Sequence, residues 1–212
     1  MIRYIKNSDL TKEEFLEDSK AFFWIAEKAG FPKNVNSIHV QRQVQYPVCF
    51  NLLKLKGNEK VLDAGCGYTV WPYFIKELYP DIEMHVYDRS KPHLDRYTDK
   101  FVKKEGDLTA ISYPDESFDV VYCVSTLEHV DNWETAVEEL SRIVKKGGYL
   151  LMIVDGMIGD RYFKEQNLDM LLRLLRRHFE MGEVDLSNED NWIYSGVEGT
   201  TMSLITLLKK KI

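Results

Sequence analysis

Apolar and polar residues follow one spacing before residue 59 and another after it. In the first stretch the pattern is helical, with Phe15, Ser19, Phe22, Phe23, Ala26 and Ala29 on one face. Thr11-Lys12-Glu13-Glu14 forms a capping box, Leu10 and Phe15 are placed as a hydrophobic staple, and Gly30 with Pro32 stops the helix. A second helical stretch is expected from about Ser37 to Leu55, with Val40, Val44 and Val48 in register and Pro47 kinking or splitting it. Residues 1–58 therefore read as an N-terminal helical segment ahead of the first strand.

From Lys60 onward, short apolar runs of strand length alternate with helical ones. Val61–Ala64 precedes Trp71–Tyr79, and Glu83–Tyr87 precedes Pro92–Phe101. Phe118–Val124 then precedes Glu134–Lys145, which leads into Tyr149–Val154. This alternation predicts βαβ units and a mostly parallel sheet. The runs are apolar on both faces, as strands covered on both sides by helices must be. The helix after Asp131 carries a capping-box variant, Asp131 with Glu134, and an apolar stripe of Ala136, Val137, Leu140, Ile143 and Val144. Lys145 and Lys146 suit the negative end of its dipole, and Gly147 is expected to terminate it. A last helix, Leu168–His178, precedes strand-like runs Met181–Leu186 and Met202–Leu208, which suit an antiparallel pair. No repeat or linker interrupts the chain, so residues 1–212 read as a single domain whose α/β core spans 59–212.

Composition adds limits. The 212 residues are 44% apolar, enough for one well-packed core. A net charge of −6 gives no overall field to attract phosphate backbones, so no nucleic-acid partner is expected. Arg173, Arg176 and Arg177 read as a solvated helix face. Cys49, Cys66 and Cys123 are widely spaced, show no metal-ligand spacing and are odd in number, which fits a reducing, cytoplasmic setting. Met1–Leu10 lacks the apolar core of a signal peptide, and no apolar run reaches membrane-spanning length, so no membrane association is expected.

The chemistry concentrates at Val61-Leu62-Asp63-Ala64-Gly65-Cys66-Gly67, a buried strand that breaks into a tight glycine turn. Such a turn lets the backbone approach a nucleotide-like ligand where a Cβ would clash. A dinucleotide fingerprint needs a third glycine, but Val70 stands there. No lysine follows where a P-loop would carry one, which argues against a nucleoside triphosphate. Asp63, two residues before the first glycine, suits a cofactor with a positive group. Asp88 ends the next strand 23 residues after Gly65, a spacing that suits a carboxylate accepting from ribose hydroxyls; an ordinary helix start at Ser90 and Pro92 would explain it equally. Asp107, after Gly106, can accept from an exocyclic adenine amine while Leu108 covers the ring; a plain turn is the other reading.

Taken in order, these residues resemble the Rossmann-like, class I S-adenosylmethionine-dependent methyltransferases. The resemblance covers about residues 60–154. It is carried by Val61–Gly67, Asp88, Gly106-Asp107, Phe118-Asp119-Val120-Val121, Leu127-Glu128-His129-Val130 and Leu140–Leu150. Thr69 departs from the third glycine that many members carry. The resemblance implies a seven-stranded, mostly parallel sheet with helices on both faces and an antiparallel last strand, under an N-terminal helical cap. It implies S-adenosylmethionine as cofactor and S-adenosylhomocysteine as product. Asp63, Ala64, Gly65, Cys66 and Gly67 would surround the methionine part, Asp88 and Arg89 the ribose, Asp107 and Leu108 the adenine, and Ser125 and Thr126 the sulfonium. Arg42 or Tyr46, from the cap, would reach the cofactor's carboxylate or cover its sulfonium.

His129 is the candidate general base; packing beside the cofactor is its alternative role. Glu128 and His129 together resemble a metal-binding pair of some methyltransferases, but two adjacent residues without further ligands make no site, and no metal is expected. The acceptor pocket would draw on the N-terminal cap, the loop after Asp155 and the loop before Met202, with Tyr162, Phe163, Trp192 and Tyr194 as candidate lining. A small-molecule acceptor is expected. Three alternatives remain: a protein or RNA methyltransferase guided by a partner, a non-catalytic S-adenosylmethionine-binding module, and a nicotinamide oxidoreductase, which Val70 disfavours. Ser125-Thr126-Leu127-Glu128 stands where an asparagine-proline-proline-aromatic tetrad would mark methylation of base or glutamine amino groups. The oligomeric state is not legible.

Overall fold

The runs after residue 59 assemble into one mixed sheet. The computed structural model describes residues 45–46, 49–50, 52, 55–156, 165–181, 193–194 and 202–212. In chain order the elements are β1 (Lys60–Ala64), α1 (Trp71–Leu78), β2 (Glu83–Asp88), α2 (Lys91–Leu94), β3 (Val102–Glu105), β4 (Phe118–Val124) and α3 (Trp133–Ile143). They continue as β5 (Val144–Gly156), α4 (Glu165–His178), β6 (Phe179–Glu180), β7 (Ile193–Tyr194) and β8 (Met202–Lys210). Short 3-10 turns at Leu108–Ala110 and Leu127–His129 follow β3 and β4.

The strand order is β3-β2-β1-β4-β5-β8-β6, with the two-residue β7 also paired to β8. Strands β3 to β5 along this path are parallel, whereas β8 runs antiparallel to β5. The mostly parallel sheet expected from the alternating runs is present, in the Rossmann-like form that the resemblance implies: seven strands form the continuous path, and β7 adds an eighth. The chain fills one side of β1 with β2 and β3, then crosses to β4 on the other side. That reversal parts the loops leaving the carboxyl ends of β1 and β4 and opens a crevice between them.

Period-2 alternation sorts the core into two layers. Val61, Val120, Tyr122, Val124, Leu151 and Ile153 face α1 and the helical residues Tyr46, Cys49 and Leu52. Leu62, Ala64, Val121, Cys123, Leu150, Met152 and Val154 face α3 and α4. Trp71, Phe74 and Ile75 of α1 are fully buried, as are Ala136, Val137, Leu140 and Ile143 of α3. Both faces of the central strands are covered, so their sequence is apolar throughout rather than alternating.

Several elements depart from the sequence expectations. The helix predicted over Pro92–Phe101 is only one turn, α2, because Tyr97 and Phe101 turn inward and pack against Tyr73. Strand β3 was not expected: Val102, Lys103 and Glu105 give it no apolar face, and it lies at the sheet's edge, where lysines discourage pairing with another chain. The capping box of Asp131 and Glu134 does not form; Asn132 occupies the N-cap of α3 and makes no side-chain cap bond. That helix ends at Ile143, before Gly147, because Val144 already pairs with Phe118 at the start of β5, ahead of a register shift. At the far edge a two-residue strand, Phe179–Glu180, ends just before the run Met181–Leu186, of which Met181 lies outside any strand. Residues 182–186, the kink at Pro47 and the helix predicted after Thr11 lie outside the described residues.

One ion-pair cluster fixes the segment between β3 and β4. Arg142 of α3 makes a two-point bond to Glu139, with Nε to Oε1 and Nη2 to Oε2, each 2.8 Å. It also donates to the carbonyls of Ile111 and Tyr113 and to Asp115 Oδ1. Glu139 Oε2 accepts the Ile111 amide at 2.8 Å. The hydrogen bonds from Arg142 hold the Glu139 carboxyl below its usual range. Replacing Arg142 with Met should cost about 1–2 kcal/mol in urea unfolding, since it strands two part-buried carbonyls and the half-buried Glu139 carboxylate. Removing the exposed Lys91–Asp95 pair should cost no more than about 0.5 kcal/mol. A carboxyl with a depressed folded value stabilises above its ordinary value near 4.5 and loses that contribution as pH falls through the folded one. Stability should therefore drop from pH 5 toward pH 3, more steeply in the native protein than in Arg142→Met.

Candidate functional site

The loops leaving β1, β2, β3 and β4 converge on one cavity of about 660 Å³. Asp63, Gly65, Cys66 and Gly67 enter it from β1, Asp88 and Arg89 from β2, Asp107 and Leu108 from β3, and Ser125, Thr126 and His129 from β4. The sites predicted from four separate stretches of sequence are thus brought together. Ala64 is the exception: it faces the α3–α4 layer and is fully buried there. Ser90, His93, Thr109 and the run Val130, Asp131 and Asn132 complete much of the wall. Tyr46, from the N-terminal segment, closes one side and stacks on Trp71 with ring centroids 5.5 Å apart. Arg42, Tyr162, Phe163 and Trp192, and the side chain of Tyr194, lie outside the described residues.

The glycine turn is shaped by protein packing before any ligand is considered. Gly65 has φ of +76°, and a Cβ there would sit 2.1 Å from Thr126 Cγ2. Thr126 Oγ1 lies 3.1 Å from both the Gly65 and the Val124 carbonyls and bonds them as donor. The amides of Gly65 and Cys66 both donate to the Tyr87 carbonyl, at 2.8 and 3.1 Å, tying the turn to β2. At Gly67 (φ +53°) a Cβ would meet, among the described residues, only Thr69 at 3.9 Å, so this glycine leaves space at the cavity wall. Val70 fills the position of a third glycine: it is the N-cap of α1, buried in the core.

Asp88 joins two of the loops. Its Oδ2 accepts the Gly67 amide and its Oδ1 the Ser90 amide, both at 2.8 Å. Each oxygen keeps lone-pair capacity toward the cavity. The carboxylate therefore serves the turn before α2 and also lines the cavity. Asp107 uses Oδ1 for the Thr109 amide and hydroxyl, at 2.8 and 2.7 Å, and caps the following 3-10 turn. These bonds hold its carboxyl below the usual range. Asp63 is buried at the end of β1. Burial, and then Asp63 and Asp88, push the Cys66 thiol far above its usual value, which disfavours the thiolate.

His129 lines the cavity and its amide donates to the Thr126 carbonyl, while Glu128 is absent from the cavity wall. Among the described residues no group of three His, Cys, Asp or Glu side chains is arranged to hold a metal ion. Among the same residues no helix is long and apolar enough to cross a membrane.

Ser125 and two residues that sequence reasoning did not assign to the site form a buried chain. Ser125 Oγ donates to Gln45 Oε1 at 3.1 Å, and Gln45 Nε2 donates to Asp155 Oδ1 at 2.9 Å. An acid closing the apolar run of β5, as Asp63 and Asp88 close theirs, was the available signal for Asp155. Gln45 sits in a helical pattern with nothing to mark it.

The family described as a methyltransferase domain matches residues 62–152. An uncharacterized protein of Methanocaldococcus jannaschii is 32% identical over 160 residues, covering 71% of this chain and 68% of that protein. More partial relatives include a sterol 24-C-methyltransferase of Gibberella zeae (26% identical, 61% of this chain and 35% of that protein). Another is the 27-O-demethylrifamycin SV methyltransferase of Amycolatopsis mediterranei (27%, 48% and 40%). The chain spans less than two thirds of the length of these two enzymes. Among solved structures, an S-adenosylmethionine-dependent methyltransferase from Mesorhizobium loti superposes with TM-score 0.57 at 17% identity, over 78% of this chain and 97% of that one. The [4+2]-cyclase SpnF superposes with TM-score 0.63 at 16% identity, over 79% and 81%. A fold shared by both does not by itself select a reaction.

Gly65→Ala should cost about 2–4 kcal/mol in urea unfolding, combining left-handed backbone strain with overpacking against Thr126. Thr126→Gly should cost less stability in the Gly65→Ala background, where it relieves the packing, than in the native one, where it only forfeits the Thr126 hydrogen bonds. Equal costs in the two backgrounds would disprove the packing account.

Proposed function

The chain belongs to the class I S-adenosylmethionine-dependent methyltransferases, and on that premise we propose that it methylates a small-molecule acceptor using S-adenosylmethionine held in the carboxyl-edge cavity. One observation carries this reading: the glycine turn, Asp88, Asp107, Ser125 and His129 come from four loops and line a single cavity. Its size falls within the roughly 300–1,000 Å³ of small-molecule sites. Relatives named for sterol and rifamycin substrates support a small-molecule acceptor. The acidic chain supports it too, since a net charge of −6 does not favour a polyanionic substrate.

The roles follow from the bonding already in use. Asp88 has each oxygen fixed by one backbone amide, so its remaining lone pairs are aimed for two ribose hydroxyls, with Arg89 beside it. Asp107 has committed Oδ1 to Thr109, which leaves Oδ2 to accept an adenine amine, while Leu108 covers the ring. Asp63 and the Gly65–Gly67 backbone take the methionine part, the buried carboxylate matching its ammonium. Thr126 has given its proton to main-chain carbonyls, so it shapes the wall near the sulfonium rather than donating into it.

The cofactor supplies an activated methyl group, and the protein supplies alignment. Holding acceptor and methyl in line is worth up to about 7–11 kcal/mol in well-oriented systems. His129 lines the cavity, and in this reading it takes a proton from an oxygen or nitrogen acceptor, a contribution of about 100- to 10,000-fold.

Calorimetric titration of the full chain should show S-adenosylmethionine and S-adenosylhomocysteine binding at one site and no binding of NADH. Asp88→Ala should weaken cofactor binding by about 10- to 100-fold per folded molecule, the worth of charge-assisted bonds. NADH binding without S-adenosylmethionine binding would sink the proposal. With an acceptor found by screening for S-adenosylhomocysteine release, His129→Ala should lower kcat by at least about 100-fold and leave cofactor affinity within threefold.

A further inference from the structure

Gln45 lies outside the loops that carry the glycine turn and the acids, yet it reaches the carboxyl edge of the sheet. It is 1% exposed, and its partners Asp155 and Ser125 are 4% and 6% exposed. Three polar side chains buried together are costly unless each is satisfied, and here the amide links the other two. Its NH₂ group donates to the Asp155 carboxylate at the end of β5, and its carbonyl accepts the Ser125 hydroxyl just past β4.

One end of this chain, Ser125, and the residue next to its middle, Tyr46, line the cavity. Ser125 lines it in a left-handed conformation, φ +42°, which an ordinary residue adopts only when its surroundings enforce it. Two bonds supply that enforcement: the Ser125 amide donates to the Ile153 carbonyl at 2.9 Å, and its hydroxyl donates to Gln45. On the other side, Tyr46 follows Gln45 directly and forms part of the cavity wall while stacked on Trp71. The N-terminal segment is thus pinned at adjacent residues, to β4 and β5 through Gln45 and to α1 through Tyr46.

We infer that Gln45 and Asp155 are positioning residues, which hold Ser125 and Tyr46 in the geometry that binds the cofactor. Neither Gln45 nor Asp155 lines the cavity, so they act through the residues that do. The inference rests on the methyl-transfer reading of the cavity and extends it to the N-terminal segment. Gln45 supplies both a donor and an acceptor, which no apolar residue and no single carboxylate can do.

The test uses S-adenosylhomocysteine as probe, titrated calorimetrically onto the full chain, with affinity corrected to folded protein by circular dichroism. Gln45→Met removes both functions at similar volume and should weaken binding by about 10- to 30-fold, the worth of one lost charge-assisted bond. Gln45→Glu keeps the acceptor but sets two carboxylates within about 3 Å, which must share a proton to bond. At pH 8 it should bind as poorly as Gln45→Met. At pH 5.5 the protonated Glu can donate to Asp155, and binding should return to within about threefold of the native protein, as coupled carboxylates titrate upward. His93, His129, Asp63, Asp88, Asp107 and Asp131 face the same cavity. They are common to both proteins, so the quantity read is the ratio to the native protein at each pH.

A ratio for Gln45→Glu that stays constant from pH 5.5 to 8 would overturn the inference, as would Gln45→Met binding within twofold of the native protein. Failure of the native chain itself to bind the probe would instead overturn the methyl-transfer reading, and with it this extension.

Discussion

The close approach of the turn after β1 to the turn after β4 is the constraint on which the site depends. The missing Cβ of Gly65 is the space that Thr126 fills, and the Thr126 hydroxyl returns a hydrogen bond to the Gly65 carbonyl. These loops must part at the topological switch of the sheet, and yet they must touch at their base. The contact sets how wide the crevice opens and where Asp63, Cys66 and Gly67 stand relative to Ser125. Gly65 is required by its protein neighbour, whereas Gly67 leaves space at the cavity wall.

Hydrogen bonds between loops carry this geometry outward. Asp88 holds the amides of Gly67 and Ser90, Tyr87 takes the amides of Gly65 and Cys66 through its carbonyl, and Arg142 with Glu139 restrains the segment after Asp107. Apart from the Arg142–Glu139 pair, which lies within α3, each of these bonds joins a loop to a neighbouring element. A rigid scaffold with loops tied to one another can hold a site preorganised without burying those loops.

Much of the core and the candidate site was legible because its signals are local. Val61–Gly67 declares a strand and a turn within seven residues, and Phe118–Val124 declares a buried strand by composition alone. Signals failed where an element depends on its neighbours. Strand β3 is polar because it lies at an edge, α2 stops after one turn because Tyr97 and Phe101 are drawn inward, and α3 yields to β5 at Val144 because Phe118 is waiting there. Gln45 was illegible for the same reason: its role is defined by Ser125 and Asp155, 80 and 110 residues away.

By itself, then, the sequence determined the alternating architecture, the family and the identity of the acids and glycines at the strand ends, since periodicity and turn chemistry act over a few residues. The tertiary structure alone decided that four of these strand ends share one cavity. It also decided that Gly65 answers to Thr126, and that a glutamine before the first strand bonds to residues after the fourth and at the end of the fifth. Such partners are chosen by the order of strands in the sheet, a global property that no short stretch of chain encodes.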